Sequence, residues 1–463
     1  MWMPMKPSLH STVLSGWGLT SPSRANLGSA TATELTSWLT DFDSRGVIVR
    51  GLGRSYGDPA SNAGGAVVTL ESSLLDIALD RSTGTLRAGG GVSLHDLLEI
   101  VLPQGFFVPV TPGTRYVTVG GAIASDIHGK NHHLEGSFGN HLLEIELLLA
   151  DGTVRSVGPD VEPDLFWATV GGMGLTGIIL SARFRLLKVE TSRCLVSTRR
   201  CDDIDELMSA MTEDDDKFRY SVAWTDLQAT GRALGRSVLW RGDHASLSDL
   251  NATDRTDPFR YDPQHLITVP PLVPGPGFVN SLTSRVFCEA WFRRAPRQRD
   301  GEIKSIPAFF HPLDAIGRWN RLYGRQGFVQ YQFVVPFASG DTVRRIVERV
   351  SASRLASPLV VLKRFGASND GHLSFPMPGW TLTVDLPAGH RELPELLREL
   401  DALVLDSGGR HYLAKDAHMS PDAVRRGYPR LAEWKTVQRR VDPTGLWQSD
   451  LARRLHLLEG TVE

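Results

Sequence analysis

The stretch that decides the fold is TPGTRYVTVGGAIASDIHGKNHH, at residues 111–133. It is poor in large side chains over most of its length and ends in a cluster of polar groups. Because glycine carries no Cβ, such a backbone can lie directly against a flat ligand. We interpret the stretch as a cofactor-contacting segment. An ordinary loop whose histidines are hydrogen-bonded is the alternative.

The same stretch contains three histidines, His128, His132 and His133, and histidine is a common metal ligand. The paired cysteines and the HExxH pattern of zinc sites do not accompany them, and Gly129 follows the first histidine directly. We therefore predict no metal site here.

A second glycine-rich segment, GLGRSYGD at 51–58, follows an apolar strand predicted at 46–49. Its glycines would let backbone N–H groups curl around an anion such as a diphosphate. The spacing G-x-G-x-x-x-G differs from the Rossmann fingerprint, so it does not predict nicotinamide binding. A simple glycine turn is the alternative interpretation.

A third segment matches the Rossmann fingerprint literally, at Gly172, Gly174 and Gly177. A Rossmann turn leads from a strand into a helix. Here a helix is predicted before the glycines, over 165–170, and a strand after them, over 177–187. The order is reversed, so we exclude nicotinamide binding at this segment.

Near the C-terminus, the sequence YLAKD places Lys415 beside Asp416, shortly after a Gly-Gly pair that ends a helix predicted over 393–405. A lone lysine is usually a solvated surface group. A lysine beside an acid, on a segment that returns from another domain, is a candidate functional residue.

The composition is that of a globular protein of 463 residues, with 41% apolar and 22% charged residues. Fifty basic residues balance 52 acidic ones, which argues against a nucleic-acid-binding protein. Cys194, Cys201 and Cys288 form no CxxC pair and predict reduced thiols. The sequence shows no signal-peptide pattern and no long apolar run, so we expect a cytoplasmic protein without membrane spans.

Hydrophobic periodicity predicts alternating short strands and helices up to residue 190, and again from residue 328. Capping-box patterns begin helices at Thr31 and at Ser93. A half-buried strand over 143–149 is followed by the hairpin turn Asp151-Gly152.

Between these regions, over 200–300, the periodic signal weakens. We predict a mobile segment over 264–299, because its first part is rich in proline and its second part mixes arginines with aromatic residues. Such a segment is suited to contact an anionic membrane, and a solvated lid is the alternative. The prolines are Pro270, Pro271, Pro274 and Pro276.

Taken together and in this order, the segments resemble the vanillyl-alcohol-oxidase (PCMH) type of FAD flavoprotein, in its sugar-oxidising branch. Within that branch the sequence is most similar to the oxidases of polyprenyl-phosphate ribose in actinobacterial cell-wall synthesis. The resemblance covers nearly the whole chain and is weakest over 200–310. The matching segments are GLGRSYGD, PGTRYVTVGGAIASDIHGKNHH, GSFGNH, LFWATVGGMGLTGII, FHPLD, GFVQYQFV, SFPMPGW, YLAKD and DLARRL.

The resemblance implies an α+β fold with two lobes. An FAD-binding domain would comprise residues 1–190 and a C-terminal return, 411–463. A substrate-binding domain with an antiparallel sheet would comprise residues 191–410. The implied activity is FAD-dependent oxidation of the ribosyl 2′-hydroxyl to a 2′-keto sugar, which a separate NAD(P)H-dependent keto-reductase then reduces with inverted configuration. Two alternatives are an aldonolactone or alditol oxidase that uses oxygen, and a flavin-fold scaffold without activity.

The resemblance also implies site residues. Lys415 is the first candidate for the catalytic base, His128 is its rival, and Tyr56 would line the reacting centre. The implied FAD-binding residues are Gly51, Gly53, Arg54, Ser55, Tyr56, Gly57, Asn62, Gly113, Thr118, Gly120, Gly121, Ser125, Ile127, His128, Asn131, Gly174, Gly177, Ile178, Tyr412 and Lys415. The implied substrate-binding residues are Lys130, Trp224, Gln330, Gln332, Lys363, Phe365, Thr381 and Thr383.

Some positions depart from the family pattern. Mycobacterial members have cysteine where this chain has Thr383, asparagine where it has Thr381, and tyrosine where it has Phe310. These changes concern the pocket wall and hence the substrate. Many relatives link FAD covalently to a histidine in the first glycine loop, where this chain has Arg54, so we expect FAD to be bound non-covalently.

Overall fold

The computed structural model describes residues 8–273, 275 and 277–458. Pro274 and Pro276 of the predicted loop therefore lie outside the described residues, as do the two ends of the predicted domains, residues 1–7 and 459–463. Helices and largely antiparallel sheets are both extensive, which confirms the α+β fold class.

The N-terminal part of the chain forms two main sheets. One has the order β1-β2-β4-β3, and the other has the order β5-β6-β10-β8-β9. The strands here are β1 (His10–Leu14), β2 (Ser23–Ala30), β3 (Val47–Val49), β4 (Ala66–Leu70), β5 (Ile77–Asp80), β6 (Thr85–Gly89), β7 (Phe106–Phe107), β8 (Leu142–Leu148), β9 (Val154–Val157), β10 (Ile178–Arg185) and β11 (Leu187–Lys188). The helices are α1 (Ala32–Trp38), α2 (Leu94–Val101), α3 (Val119–Ala124), α4 (His132–Glu135) and α5 (Pro163–Thr169).

The middle of the chain forms one eight-stranded sheet of order β16-β12-β14-β13-β19-β20-β18-β21. The strands are β12 (Arg193–Cys201), β13 (Tyr220–Thr225), β14 (Ser237–His244), β15 (Ile267–Thr268), β16 (Gln298–Ser305), β17 (Ile316–Gly317), β18 (Phe328–Val335), β19 (Val360–Phe365), β20 (Gly379–Pro387) and β21 (Arg410–His411). The helices are α6 (Ile204–Asp214), α7 (Ala252–Arg255), α8 (Ser281–Arg294), α9 (Ile306–Phe310), α10 (Gly340–Ser353) and α11 (Leu393–Asp406).

The two faces of this sheet differ because side chains alternate along each strand. On one face, Val329, Tyr331 and Phe333 of β18 are buried in a cluster that includes apolar residues of α6, α10 and α11. The alternate positions of the same strand, Gln330 and Gln332, point to the other face. The helices thus cover one face, and the opposite face is free to form a site.

Three C-terminal helices return to the first part of the chain: α12 (Pro421–Gly427), α13 (Leu431–Val441) and α14 (Asp450–Arg454). Val424, Trp434 and Leu451 are buried in the same hydrophobic cluster as residues of α2, α3 and β8. The C-terminal helices thus pack on the N-terminal part of the chain, and the division into domains stays a prediction.

Most of the predicted local elements are confirmed. The capping boxes at Thr31 and Ser93 begin α1 and α2, and the turn at Asp151-Gly152 joins β8 to β9, which pair as antiparallel strands. The false Rossmann match lies between α5 and β10, in the predicted order of helix and then strand.

The mobility predicted for residues 264–299 stays a prediction, but the second half of that segment is regular secondary structure and not a loop. Residues Ser281–Arg294 form α8, and β16 begins at Gln298. The side chain of Asn280 caps the helix by accepting hydrogen bonds from two backbone N–H groups. Cys288 and Phe292 then pack against Trp224 of the sheet. This tertiary packing stabilises a helix that the neighbouring prolines obscured.

An ion-pair group of two buried carboxylates and the half-buried Arg454 links the C-terminal return to the first glycine loop. Arg454 contacts both oxygens of Asp58, at 2.7 and 3.0 Å, and also Asp416 at 2.8 Å. Burial alone would raise the pKa of Asp416, but Arg454 and His418 lower it. The group therefore joins GLGRSYGD, YLAKD and DLARRL, three segments that are distant in sequence.

Replacing Arg454 with methionine leaves two carboxylates without their cation. Breaking a buried pair in this way costs about 3–5 kcal/mol. We expect R454M to lower the free energy of unfolding in urea by about that amount. R440M, at an exposed arginine of α13, is the control, with an expected change within about 0.5 kcal/mol. Equal stability of the two variants would contradict the assigned role.

Candidate active site

A cavity of about 810 Å³ lies between the glycine-rich segments and the free face of the eight-stranded sheet. It brings together the segments around Gly51, Thr118 and Gly174 with residues of β18, β19 and β20. All four motifs that the sequence singled out therefore meet at one site.

The glycine-rich segments form one wall of the cavity, the glycine wall. Several of its glycines lie so close to neighbouring groups that a side chain would not fit. A Cβ on Gly51 would lie 2.5 Å from the hydroxyl oxygen of Thr118. A Cβ on Gly90 would clash with the backbone carbonyl of Ile179. Thr118 caps α3 by accepting a hydrogen bond of 3.1 Å from the backbone N–H of Gly121. Larger residues at these positions would fill the space or disrupt the turns.

This wall fits FAD. Its lining is largely glycine backbone, including Gly113 and Gly120, which suits a diphosphate and a planar ring system. Arg54 also lines the cavity, and its guanidinium lies 3.9 Å from the ring centre of Trp17. The buried Nε of Arg54 has no hydrogen-bond partner, so a donor remains for an anionic ligand.

The sheet wall is polar because three neighbouring strands present alternate residues to the cavity. Gln332 of β18 pairs with Thr383 of β20, and Thr383 pairs with Val361 of β19. Two residues further along β19, Lys363 also lines the cavity, and Trp224 of β13 extends the wall. An amide, a hydroxyl and an amine are thus available to bind a polar substrate.

His128 joins the two walls. Its Nε2 lies 3.0 Å from Nε2 of Gln332, and because an amide N–H donates, this histidine nitrogen accepts. The ring lies against Phe365, with 4.8 Å between ring centres. Burial and the nearby Lys363 hold the pKa of His128 well below its ordinary value. His128 is therefore neutral and acts here as a hydrogen-bond acceptor.

Four lysines line the cavity. Lys304 pairs with Glu302 at 3.2 Å, and the other three are desolvated. Burial lowers the pKa of Lys130 to about 7 and that of Lys363 to about 8. Burial also lowers the pKa of Lys415 to about 7, against the opposing effect of the Asp385 carboxylate. An amine with such a pKa can accept or release a proton near neutral pH.

Lys415 is held beside Tyr56, with its Nζ 3.8 Å from the ring centre. The N–H of Tyr56 donates a 3.0 Å hydrogen bond to the carbonyl of Ala414, which fixes the two segments side by side. Burial raises the pKa of the Tyr56 hydroxyl, so it remains protonated.

Asp385 is the fully buried acid of this group. It accepts hydrogen bonds from Gln330 at 2.6 Å and from the hydroxyl of Tyr323 at 3.4 Å. Burial raises its pKa to about 7, and the positive charge of Lys415 counteracts that rise. Asp385 and Lys415 therefore share the burial penalty, and each favours the charged form of the other.

Comparison with known proteins agrees with this geometry. A family model described as an FAD binding domain matches residues 30–158. The decaprenylphosphoryl-β-D-ribose oxidase of Mycolicibacterium smegmatis is 43% identical over 455 residues, which span 96% of this chain and 97% of that protein. The chain belongs to the decaprenylphosphoryl-β-D-ribose oxidase family.

Two further relatives are more distant. An alditol oxidase of Streptomyces is 24% identical over 465 residues, 96% of this chain and 99% of that protein. A D-lactate dehydrogenase of Archaeoglobus fulgidus is 31% identical over 135 residues, 27% of this chain and 30% of that protein. The family resemblance seen in the motifs is confirmed, and the protein is an FAD-dependent oxidoreductase.

Most residues of the predicted FAD set line the cavity, and three do not. Gly57 packs where a Cβ would clash with the carbonyl oxygen of Asp416. Asn62 donates to the carbonyl of Gly46 at 3.0 Å, and Asn131 donates to a backbone carbonyl at 2.8 Å. These three residues support the loops around the cavity, and their contact with FAD stays a prediction.

In the predicted substrate set, Phe365 and Thr381 lie behind the cavity wall. Thr381 accepts a 3.2 Å hydrogen bond from Gln332, and Phe365 packs against His128. Both residues position a neighbour that does face the cavity. Thr383 and Phe310, two of the residues that depart from the family pattern, line the cavity directly.

Sequence reasoning missed Asp385, Trp17 and the pair Gly90-Gly91. The glycines line the cavity at the end of β6, in a GGG run that was a visible signal. Asp385 is a single acid in the otherwise uncharged strand β20, which marks an unusual buried charge. No motif in the sequence around Trp17 indicated that this residue lines the site.

FAD is expected to be released on denaturation. Gly51–Gly57 contains no histidine, and the cavity-lining His128 accepts from Gln332. Acid precipitation should leave all yellow colour in the supernatant and the polypeptide mass unmodified. Flavin in the pellet, with a peptide heavier by one FAD, would contradict non-covalent binding.

Proposed function

We propose that this protein oxidises the 2′-hydroxyl of decaprenylphosphoryl-β-D-ribose, or a closely related polyprenyl-phosphate ribose, to the 2′-keto sugar. The observation that carries the proposal is the set of three desolvated lysines in one cavity, of which Lys130 and Lys363 have no acidic partner within the described residues. A phosphorylated sugar would supply the missing anion. The 43% identical relative, a decaprenylphosphoryl-β-D-ribose oxidase, supports the same substrate class.

In this proposal residues 1–190 and 411–463 hold FAD, and residues 191–410 hold the sugar. The chemistry that FAD would supply, when bound there, is an acceptor for the hydride on the carbon that bears the alcohol. The chain must then remove one proton from the alcohol oxygen. Lys415 Nζ in its neutral form takes that proton, and Asp385 stabilises the resulting ammonium. His128 is less suited to be the base because it already accepts a hydrogen bond.

The phosphate of the substrate would be bound by Lys130 and Lys363. The Lys130 amine donates to the carbonyl of Phe309 and lies 4.2 Å from the ring centre of that residue, which fixes its position. Anion binding would restore the ordinary charge of both amines. Thr383 and Phe310, which differ from mycobacterial members, would adjust the fit of the sugar and the prenyl chain.

The keto sugar would be reduced by a separate NAD(P)H-dependent reductase. The segment that matches the Rossmann fingerprint, at Gly172, Gly174 and Gly177, leads from helix α5 into strand β10, so it does not form a nicotinamide site of that type. The described part of the chain has no helix that is long and apolar enough to span a bilayer. The substrate is a membrane lipid, so we propose peripheral contact with the membrane.

A substrate test separates this function from an alditol or lactone oxidase. Under anaerobic conditions, polyprenyl-phosphate ribose should bleach the flavin absorbance of the holoenzyme. Free ribose, xylitol and arabinono-lactone should not, because they lack the anion that the lysines bind. Bleaching by the free polyols, but not by the lipid-linked sugar, would establish the alternative function.

The base is tested by replacing Lys415 with alanine. We expect the rate of anaerobic flavin reduction to fall by about 10²–10⁴-fold, the typical contribution of a positioned base. Flavin content and the circular dichroism spectrum should remain those of the unmodified protein. A near-normal reduction rate would remove Lys415 from this role.

The pH profile tests Asp385 as a positioning residue. Because the base acts as a neutral amine, the reduction rate should fall as the pH drops below about 7. D385N removes the carboxylate that favours the ammonium, so the pKa of Lys415 falls and the acid limb moves to lower pH by about one unit. D406N, at an exposed acid of α11, should leave the profile unchanged. An unshifted profile in D385N would contradict the coupling.

A further inference from the structure

Helix α8 exposes an unusual amount of apolar surface. Leu282 and Val286 are 71% and 62% exposed and lie one turn apart on the same face. Ser284, Cys288 and Phe292, on the opposite face, are buried against the rest of the protein. The helix therefore carries apolar side chains on both sides, although among residues 8–273, 275 and 277–458 only one side is covered.

The segment before α8 extends this surface. Leu266, Ile267, Leu272 and Phe278 are all exposed. Ile267 of β15 pairs with Ile316 of β17, and Ile316 lines the cavity. We call Leu266, Ile267, Leu272, Phe278, Leu282 and Val286 the rim surface. Soluble monomers seldom expose so many large apolar side chains together.

The rim surface is continuous with the cavity. Phe287 and Trp291 of α8 line the cavity, and each is also 40% exposed to solvent. Their rings stack with 5.8 Å between centres, and Trp291 also contacts Trp240 of the sheet. The same two side chains thus touch the cavity on one side and the solvent on the other.

Positive charge accompanies the apolar residues. Residues 285–299 contain five arginines, and Glu289 is the only acid among them. Arginines next to exposed apolar side chains suit a bilayer with anionic headgroups, because the headgroups pair with the arginines and the apolar groups enter the acyl boundary. Two rim surfaces facing each other would place like charges together, which disfavours a second copy of the chain as the occupant.

We propose that the rim surface docks on an anionic lipid bilayer, and that a prenyl chain passes from the bilayer into the cavity along the stacked rings of Phe287 and Trp291. The inference rests on the proposed function for the identity of that chain. It adds to that function the surface that contacts the membrane, the orientation of the protein on the membrane and the route by which the prenyl chain enters the cavity. On this route the prenyl chain would stay within apolar surroundings throughout.

Vesicle binding without substrate tests the docking. The holoenzyme should sediment with phosphatidylcholine vesicles that contain phosphatidylglycerol, and less with phosphatidylcholine alone or in 0.5 M salt, a concentration that shortens electrostatic screening to about 4–5 Å. The double variant L282D/V286D should bind at least about tenfold more weakly, because it places charge where apolar groups enter the lipid. V154D/V161D, at two exposed valines of the N-terminal part, is the matched control and should bind normally.

Equal binding by L282D/V286D and the unmodified protein would overturn the proposal. A second outcome would also overturn it: the unmodified protein forms dimers, and L282D/V286D is monomeric but binds vesicles as before. The rim surface would then be a contact between two copies of the chain. Circular dichroism and flavin content should show that both double variants are folded.

A second assay separates this inference from the proposed function. A short-chain, water-soluble analogue of the prenyl-phosphate ribose should bleach the flavin of L282D/V286D at the normal rate. Substrate embedded in vesicles should bleach it at least about tenfold more slowly than it bleaches the unmodified protein. Equal rates with embedded substrate would overturn the entry route. If no lipid-linked ribose bleaches the unmodified protein, the proposed function fails, whereas vesicle binding by the rim surface is judged by sedimentation alone.

Discussion

The packing of residues 56–58 against residues 414–416 is the constraint on which the site depends. The N–H of Tyr56 bonds the carbonyl of Ala414, Gly57 leaves room for the Asp416 backbone, and Arg454 binds Asp58 and Asp416 together. A glycine loop near the N-terminus is thereby fixed against a lysine more than 350 residues later. Without this contact, Lys415 would not be positioned at the cavity that the glycine loop lines.

Local signals in the sequence predicted the elements that local interactions form. The capping boxes of α1 and α2 and the turn between β8 and β9 each involve residues close in sequence, and all were predicted. Helix α8 was missed because its stability comes from Cys288 and Phe292 packing on a distant sheet. Its exposed apolar side chains gave no helical periodicity for the sequence to show.

The residues of the candidate site, too, could be predicted only in part from the sequence. Family motifs identified the glycine wall and Lys415, although Asn62 and Asn131 turned out to support loops. Asp385 could not be inferred, because its position opposite Gln330 depends on the register between β18 and β20. Register is a long-range property of the sheet, and a shift of one residue would point Asp385 into the apolar cluster beneath the helices.

The charges of the cavity narrow the class of substrate. Lys130, Lys363 and Lys415 all line it, and Asp385 is the acid that acts on one of them. A buried positive charge without a partner is costly, so burial lowers the pKa of these amines, to about 7 for Lys130 and Lys415 and to about 8 for Lys363. A neutral polyol would leave that cost in place, whereas a phosphorylated sugar removes it on binding. The anion would therefore contribute binding energy that a free sugar lacks, and it would leave Lys415, held between Tyr56 and Asp385, as the amine available for the alcohol proton.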